Sequence, residues 1–158
     1  MAKKKEIPPP AKIFTIGFTR KSAETFFELL ELHQITEVID VRLYANTQFA
    51  GFAKAPDLKF FLKRVSSIEY RRDLKFAPTE ELFKSYQKQI ITWADYEKIF
   101  AQIMKERHIE SHIQRNYSDS PEFRYCLLCT EVSAENCHRR LVAEKFAEVF
   151  DGMEIIHL

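Results

Sequence analysis

Three short apolar segments most constrain what this chain can fold into: residues 12–16, 37–41 and 123–129. Apolar runs of this length are typical of strands that are buried within a sheet. An amphipathic helical pattern separates the first two, and a strand–helix–strand order predicts a right-handed parallel crossover. The sequence therefore predicts an α/β domain with a mainly parallel sheet.

Helix-start residues divide the rest of the chain. Ser22, Thr79, Thr92 and Ser133 are suitable N-caps, and Pro56 suits the first position of a helix. Four helices are predicted to begin after these N-caps and to end near residues 33, 89, 107 and 150, respectively. The second and third of them form a helical insertion packed against the sheet. The remaining segments are predicted as an edge strand over 68–74, a polar loop over 110–121 and a last strand over 153–158.

Length and charge limit the class of protein. A chain of 158 residues with 46% hydrophobic content can bury one sizeable core. We expect a single domain over residues 11–158, preceded by a disordered basic tail over residues 1–10 that contains Lys3, Lys4 and Lys5. The net charge of +1 creates no global field that favours nucleic acid, so any basic patch must be local.

The cysteine count and the hydropathy pattern predict the compartment. Three cysteines without framework spacing, and no signal peptide before them, predict a reducing, cytoplasmic location. No apolar run approaches the roughly 20 residues that a membrane-spanning helix needs, so no membrane partner is expected.

Polar residues with chemical capacity follow the three buried strands. Ligands of parallel sheets bind outside the carboxyl ends of the strands, so residues just past these ends should share one rim. The helix after the third strand begins near the same rim. Eight residues are predicted to line one pocket there: Arg20, Asp40, Arg42, Cys129, Glu131, Cys137, His138 and Arg139.

Each residue type in this set has a candidate role. A helix N-terminus lowers the pKa of a nearby thiol, so Cys137, or alternatively Cys129, is a candidate nucleophile. His138 and Glu131 are candidate proton carriers. The same helix N-terminus attracts anions, and the predicted anion-binding residues are Arg20, Asp40, Arg42 and Arg139. A purely structural pair between Asp40 and Arg42 is the alternative for those two residues.

Other chemistry for the cysteines is less favoured. Cys126 lies in the middle of a strand and is expected to be a small buried side chain. Its spacing to Cys129 resembles a redox pair, but such pairs act at a helix start. Cys129, Cys137 and His138 could in principle bind zinc. However, neighbouring residues of a helix point in divergent directions, so no metal is expected.

Two further sets of polar residues are interpreted as structural. His108 and His112 are four residues apart, but His112 is expected to lie in the loop beyond the helix, which makes a metal site from this pair improbable. Arg71 and Arg72 in the edge strand are expected to be solvated.

The predicted site also carries a resemblance to a known family. Its most specific part is Cys129-Thr130-Glu131 followed by Cys137-His138-Arg139, and the weaker parts, in the right order, are residues 15–18, 40–42, 51–52, 128 and 155–158. In these motifs the chain resembles the family called domain of unknown function 488, from Ile13 to the C-terminus. The resemblance implies a three-layer, Rossmann-like α/β sandwich and the same Cys, His, Glu, Asp and Arg site, without a particular reaction. After Arg42 the chain departs from the common pattern of a proline and a Ser-Arg pair, which indicates a distinct subgroup.

Two functional classes follow from these residues. The first is an enzyme that uses the Cys, His, Glu and Arg groups on a small anionic substrate such as a nucleotide or another phosphorylated metabolite. The second is a non-catalytic module that binds nucleotide or nucleic acid, in which Phe18, Tyr44 and Phe49 would stack on bases. A lesser alternative is a structural domain whose Cys–His–Arg cluster ties the last helix to the sheet. The sequence identifies no cofactor.

Overall fold

The computed structural model describes residues 9–46 and 50–158. Most of the predicted disordered tail, and the stacking candidate Phe49, lie outside these residues. The elements in chain order are β1 (Lys12–Gly17), α1 (Ala23–Leu32), β2 (Glu37–Asp40), α2 (Ala55–Ser66), β3 (Glu69–Arg72), α3 (Glu80–Gln87), α4 (Trp93–Glu106), α5 (Ile109–Asn116), β4 (Tyr125–Cys129), α6 (His138–Val149) and β5 (Glu154–His157). Short 3₁₀ turns cover Gly51–Ala53 and Leu74–Phe76.

The five strands form one parallel sheet in the order β3-β2-β4-β1-β5. The side chains of β4 alternate between two cores. Leu127 and Cys129 face the core shared with α3 to α6, whereas Cys126 and Leu128 face the core shared with α1 and α2. Helices therefore cover both faces, and the predicted three-layer, Rossmann-like α/β fold with a helical insertion is confirmed.

Local sequence signals account for several helix starts. Ser22 Oγ accepts a hydrogen bond from the amide of Thr25, and Thr79 Oγ1 accepts one from Leu82. Thr92 and Asp95 form a reciprocal capping box at the start of α4. Each side chain satisfies an amide that the helix itself leaves without a partner. None of the helices within the described residues is long and apolar enough to cross a membrane.

The predicted polar loop over residues 110–121 is wrong, because α5 occupies Ile109–Asn116. Ile109 and Ile113 are one helical turn apart and both are buried against the core. Burial of these two side chains offsets the polar character of the segment. His112 is therefore helical, and its Nε2 lies 2.6 Å from a carboxylate oxygen of Asp73.

The predicted start of the last helix is also wrong. Ser133 Oγ caps a tight turn by accepting from the amide of Glu135, and α6 begins only at His138. Cys137 occupies the N-cap position with extended dihedral angles, φ −136° and ψ 136°. This difference changes the direction of the Cys137 side chain, which lies at the predicted site.

The two arginines of β3 contact protein groups. Arg71 Nε pairs with Glu37 at 2.7 Å, and its guanidinium carbon lies 4.8 Å from the centroid of the Tyr117 ring. Arg72 is exposed, and its Nη2 donates to the carbonyl of Leu43 at 2.7 Å. Arg72 is thus exposed as expected, although one of its nitrogens binds a backbone carbonyl. Arg71 is half-buried and paired, so it is less solvated than expected.

Candidate functional site

Parallel pairing brings the carboxyl ends of three strands to one edge of the sheet. Asp40 at the end of β2 is paired with Leu128, and Gly17 at the end of β1 is paired with Cys129. The chain segments that follow β1, β2 and β4 therefore leave the sheet side by side. The start of α6 lies at the same edge, because His138 contacts the end of β2 and Arg139 contacts the loop after β4.

Asp40 and Arg42 form a buried, two-pronged ion pair at the end of β2. Arg42 Nε donates to Asp40 Oδ1 at 2.8 Å, and Arg42 Nη2 donates to Oδ2 at 2.6 Å. The carboxylate is fully buried, and the arginine is 2% exposed. Tyr70 Oη also donates to Oδ2 at 2.6 Å. Burial raises the pKa of Tyr70, and the nearby Asp40 carboxylate raises it further. The carboxylate thus holds the guanidinium in one orientation.

One nitrogen of Arg42 is left without a hydrogen bond. Nη1 is buried and has no partner among the residues that the structure describes. The guanidinium carbon lies 5.4 Å from the centroid of the Phe18 ring, which is itself 1% exposed. A buried, charged donor without an acceptor is costly, and an anionic ligand oxygen would satisfy it.

Three reactive side chains meet where β4 ends and α6 begins. Sγ of Cys129, Sγ of Cys137 and Nδ1 of His138 all lie within 4.8 Å of one another, and all three residues are buried. The Cys129 Sγ to His138 Nδ1 distance is 3.8 Å. Cys137 can face Cys129 because its extended backbone turns its side chain away from the direction that a helical residue would take.

The backbone just after β2 determines which nitrogen of His138 faces the thiols. His138 Nε2 lies 2.8 Å from the carbonyl oxygen of Val41. A carbonyl only accepts, so Nε2 carries a hydrogen and donates it. In the neutral imidazole, Nδ1 then has the free lone pair, and this nitrogen faces the sulfur atoms. Nδ1 of His138 can therefore accept a hydrogen bond from a thiol.

The two facing thiols have opposite pKa shifts. A hydrogen bond from Cys129, with further help from His138 and the charge of Arg139, lowers the pKa of Cys137 well below its ordinary value. The same hydrogen bond, together with burial, raises the pKa of Cys129 well above its ordinary value. Burial also raises the pKa of Cys126, on the other face of the sheet. The two directions favour Cys137 over Cys129 as the thiolate of the pair.

Arg139 holds the loop between β4 and α6 against the sheet. Its Nη1 donates to the carbonyl of Glu131 at 2.7 Å, and its Nη2 donates to that of Val132 at 3.3 Å. Its Nε donates to Thr15 Oγ1 at 3.4 Å, and the residue is 1% exposed. The loop passes close to Gly17, where a Cβ atom would lie 1.7 Å from the carbonyl oxygen of Glu131.

The structure brings six of the eight predicted residues together and leaves two at the surface. Arg20 is exposed and adopts a left-handed backbone with φ 61°, and the Glu131 side chain is also exposed. The six buried residues are Asp40, Arg42, Cys129, Cys137, His138 and Arg139. Their chemical roles stay predictions.

Sequence reasoning missed the groups that position these six residues. Tyr70 and the Val41 carbonyl contact site residues only through strand register and helix packing, which no local pattern reveals. Thr15 inside an apolar strand was a weak signal, because a buried hydroxyl needs a partner. Gly17, at the end of the same strand, was a second signal, since glycine permits close backbone approach.

An open cleft of about 480 Å³ lies at the same edge of the sheet, and of the eight residues predicted to line one pocket it is lined by Arg139 alone. The cleft is lined by Val132, Ser133, Ala134, Glu135, Arg139, Arg140, His157 and Leu158. Arg140 already pairs with Glu97 and Glu144, and His157 Nδ1 lies 2.7 Å from Thr15 Oγ1.

The fold and this edge define a class of protein: a small parallel α/β sandwich with a buried Cys–His–Arg cluster at the carboxyl ends of its strands. The chain belongs to the family described as Domain of unknown function DUF488, whose model matches residues 22–146. The match includes the Cys-x-Glu and Cys-His-Arg segments, whereas residues 15–18 and 155–158 lie outside it. No curated protein and no solved structure matches the chain.

Proposed function

We propose that this protein is a thiol-dependent enzyme that acts on a small anionic substrate, with Cys137 as the nucleophile. The approach of Cys129 Sγ, Cys137 Sγ and His138 Nδ1 to within 4.8 Å of one another carries the proposal. A thiol beside an imidazole at a helix N-terminus is the arrangement that activates cysteine nucleophiles.

Cys137 rather than Cys129 is the nucleophile because a thiolate, not a thiol, attacks. The lowered pKa of Cys137 and the raised pKa of Cys129 give the two sulfurs different roles. Cys129 stays a thiol and donates a hydrogen bond to the Cys137 thiolate. The positive end of α6 and the charge of Arg139 add to the stability of the anion.

The proposed step is a substitution at carbon or phosphorus. Nδ1 of His138 accepts the proton of Cys137, and the thiolate forms a bond to the electrophilic atom. The bond to a leaving oxygen breaks, and this oxygen takes the proton from His138. Water then attacks the thiol-bound intermediate: its oxygen bonds to the electrophilic atom, its proton passes to Nδ1 of His138, and the bond to Cys137 Sγ breaks, which restores the thiolate. Glu131, exposed on the loop after β4, is proposed as a second proton carrier.

The anionic character of the substrate rests on Arg42. Its Nη1 has no acceptor within the described part of the chain, although it is buried. A phosphate oxygen would supply the missing acceptor, and Asp40 holds the guanidinium in place for it. A nucleotide or another phosphorylated metabolite is therefore the proposed substrate class. Arg20, exposed at the end of β1, and Arg139 remain proposed contributors to anion binding.

The competing nucleic-acid module receives less support from the same structure. Phe18 is 1% exposed, and the Tyr44 ring packs edge-on against Phe83 with centroids 5.5 Å apart. The Phe18 ring is thus already enclosed by protein groups, whereas stacking on a base requires a free ring face. Tyr44 is 51% exposed and keeps ring surface for such a contact.

Cysteine alkylation tests the proposed enzyme directly. The full chain is freed of metal with a chelator and treated with iodoacetamide over a range of pH, and each cysteine is followed by peptide mass spectrometry. We expect Cys137 to react first, with a midpoint below the ordinary thiol value of about 8.5. Inorganic phosphate or a nucleoside monophosphate should slow the reaction. Cys126, fully buried on the other face, is the internal control.

Three results would contradict the proposal. The first is alkylation of Cys137 that is no faster than that of Cys126. The second is phosphate binding that weakens steeply with salt and is unchanged in both Cys137→Ser and Cys129→Ser, combined with no protection of Cys137 from alkylation in the wild type, because this is the behaviour of a non-catalytic anion-binding module. A fall in melting temperature for Cys137→Ala with no ligand effect at all would indicate a structural cluster instead.

A further inference from the structure

We propose that Cys129, Cys137 and His138 form a binding site for a single thiophilic divalent cation, with Zn²⁺ as the expected ion. The site goes beyond the proposed thiol chemistry and does not depend on it. Its consequence for that chemistry is regulatory, because a metal bound to both sulfurs leaves no free thiolate on Cys137.

The spacing of the three ligand atoms is close to the one that zinc requires. Zinc–sulfur bonds of about 2.3 Å and zinc–nitrogen bonds of about 2.0–2.1 Å in a tetrahedron place ligand atoms about 3.5–3.8 Å apart. Cys129 Sγ and His138 Nδ1 are 3.8 Å apart, and all three ligand atoms lie within 4.8 Å of one another. A small rotation of the Cys137 side chain therefore suffices to complete three corners of a tetrahedron.

The backbone at the start of α6 removes the objection to a metal that the sequence raised. That objection assumed that Cys137 and His138 are both helical, so that their side chains diverge. Cys137 is instead the extended N-cap residue, with φ −136° and ψ 136°, and His138 is the first helical residue. The bend between the two residues lets consecutive side chains converge on one point.

His138 has the outer contact that zinc-binding histidines have. Such residues donate their second ring N–H to a carboxylate, a backbone carbonyl or water, which fixes the tautomer and the ring orientation. His138 Nε2 donates to the Val41 carbonyl at 2.8 Å, and Nδ1 is free to bind the metal. The ring also packs edge-on against Phe100, with centroids 5.7 Å apart.

Charge and ligand type select the ion. Two thiolates neutralise one divalent cation, so the complex adds no net charge beside Arg42 and Arg139. Thiolate and imidazole ligands favour zinc over magnesium or calcium, which prefer oxygen. Three protein ligands leave a fourth position for water or an anion, as in catalytic rather than structural zinc sites. Binding requires both sulfurs as thiolates, so it must release protons from the Cys129–Cys137–His138 cluster.

Titration of the metal-free full chain with Co²⁺, and then with Zn²⁺, tests this site. Cobalt reports on its ligands, because thiolate bonds produce charge-transfer absorption and tetrahedral geometry produces intense visible bands. We expect one Co²⁺ per chain, displacement by one Zn²⁺, and protection of Cys129 and Cys137 from alkylation. Cys126→Ala is the matched control, since Cys126 faces the opposite core, and its titration should not change.

Single-ligand variants identify the residues. Cys129→Ser and Cys137→Ser should each weaken zinc binding by more than the roughly 10–100-fold that loss of an outer contact costs. His138→Asn should do the same, and circular dichroism establishes that each variant is folded. If a variant does not fold, the wild-type titration still decides the question.

Two outcomes would overturn the metal site: no thiolate-to-cobalt absorption at stoichiometric Co²⁺, or unchanged affinity in both folded serine variants. The proposed enzyme is judged separately, because its alkylation assay uses chelated protein. Rapid alkylation of Cys137 without metal binding retains the enzyme and removes the metal site. Stoichiometric metal binding, together with a Cys137 that stays unreactive after metal is removed with a chelator, retains the metal site and removes the enzyme.

Discussion

The carbonyl oxygen of Glu131 lies 1.7 Å from the position that a Cβ atom would take on Gly17. No side chain larger than hydrogen fits at the end of β1 while the loop after β4 keeps this path. The loop is held there by Arg139, whose Nη1 donates to the same carbonyl. The loop leads into Cys137 and His138, so the glycine affects both the fold and the site.

We predict that Gly17→Ala destabilises the protein by about 1–3 kcal/mol, the usual cost of adding a methyl group to a packed position. The loop must move, so the reactivity of Cys137 should change as well. Urea denaturation measures the first effect and alkylation measures the second. Gly51→Ala is the matched control, because a Cβ atom there meets nothing within 4 Å. Equal stability of the two variants would contradict the close approach.

The buried pair between Asp40 and Arg42 should be essential for stability. We predict that Asp40→Asn costs about 3–5 kcal/mol, because it leaves a buried guanidinium without a counter-charge. The midpoint and slope of urea denaturation give this value. Glu69→Gln is the control, since the Glu69–Lys63 pair is exposed and such pairs contribute little. A similar small change in both variants would show that Arg42 is not confined as described.

The lowered pKa of Cys137 predicts a pH-dependent stability. A group whose pKa is depressed in the folded state contributes stability above its unfolded pKa of about 8.5, and this contribution is lost as pH falls through the folded value. Both proteins are first freed of metal with a chelator. The wild type should then have a larger free energy of unfolding than Cys137→Ser, and this difference should grow as pH rises toward 8.5. Denaturation at several pH values measures the difference.

Cys129 does not obscure this test, because its pKa is raised. Its contribution is fully present below about pH 8.5 and is lost only at higher pH. Cys126→Ala should show a difference from wild type that is constant below that pH, since burial raises the pKa of Cys126. A constant difference for Cys137→Ser as well would argue against a thiolate at this position.

Asp73 should anchor α5 to the sheet without affecting the cysteine site. Tyr117 Oη donates to Asp73 Oδ2 at 2.7 Å, and the same oxygen lies 2.6 Å from His112 Nε2. We predict that Tyr117→Phe costs about 1 kcal/mol, the usual net value of a hydrogen bond, and leaves Cys137 alkylation unchanged. Tyr44→Phe, which removes an exposed contact to Glu80, should have little effect on either measurement.

Short-range patterns were sufficient for most of the fold. Apolar runs identify β1, β2 and β4, and Ser22, Thr79 and Thr92 act as N-caps through amides within three residues of themselves. Such contacts need no knowledge of the rest of the chain. Parallel order then places the ends of these strands on one edge, which is why the segments that carry Asp40, Arg42 and Cys129 could be grouped from the sequence.

What the sequence alone determined is thus which strand ends share one edge of the sheet; what only the tertiary structure decided is where the side chains at that edge point and what holds them. Ile109 and Ile113 form a helix because the core buries them, although the segment looks polar. Cys137 faces Cys129 because the chain bends before α6, and His138 is oriented by a carbonyl 97 residues away in sequence. Burial and side-chain direction depend on groups that become neighbours only after packing, so no local pattern contains them.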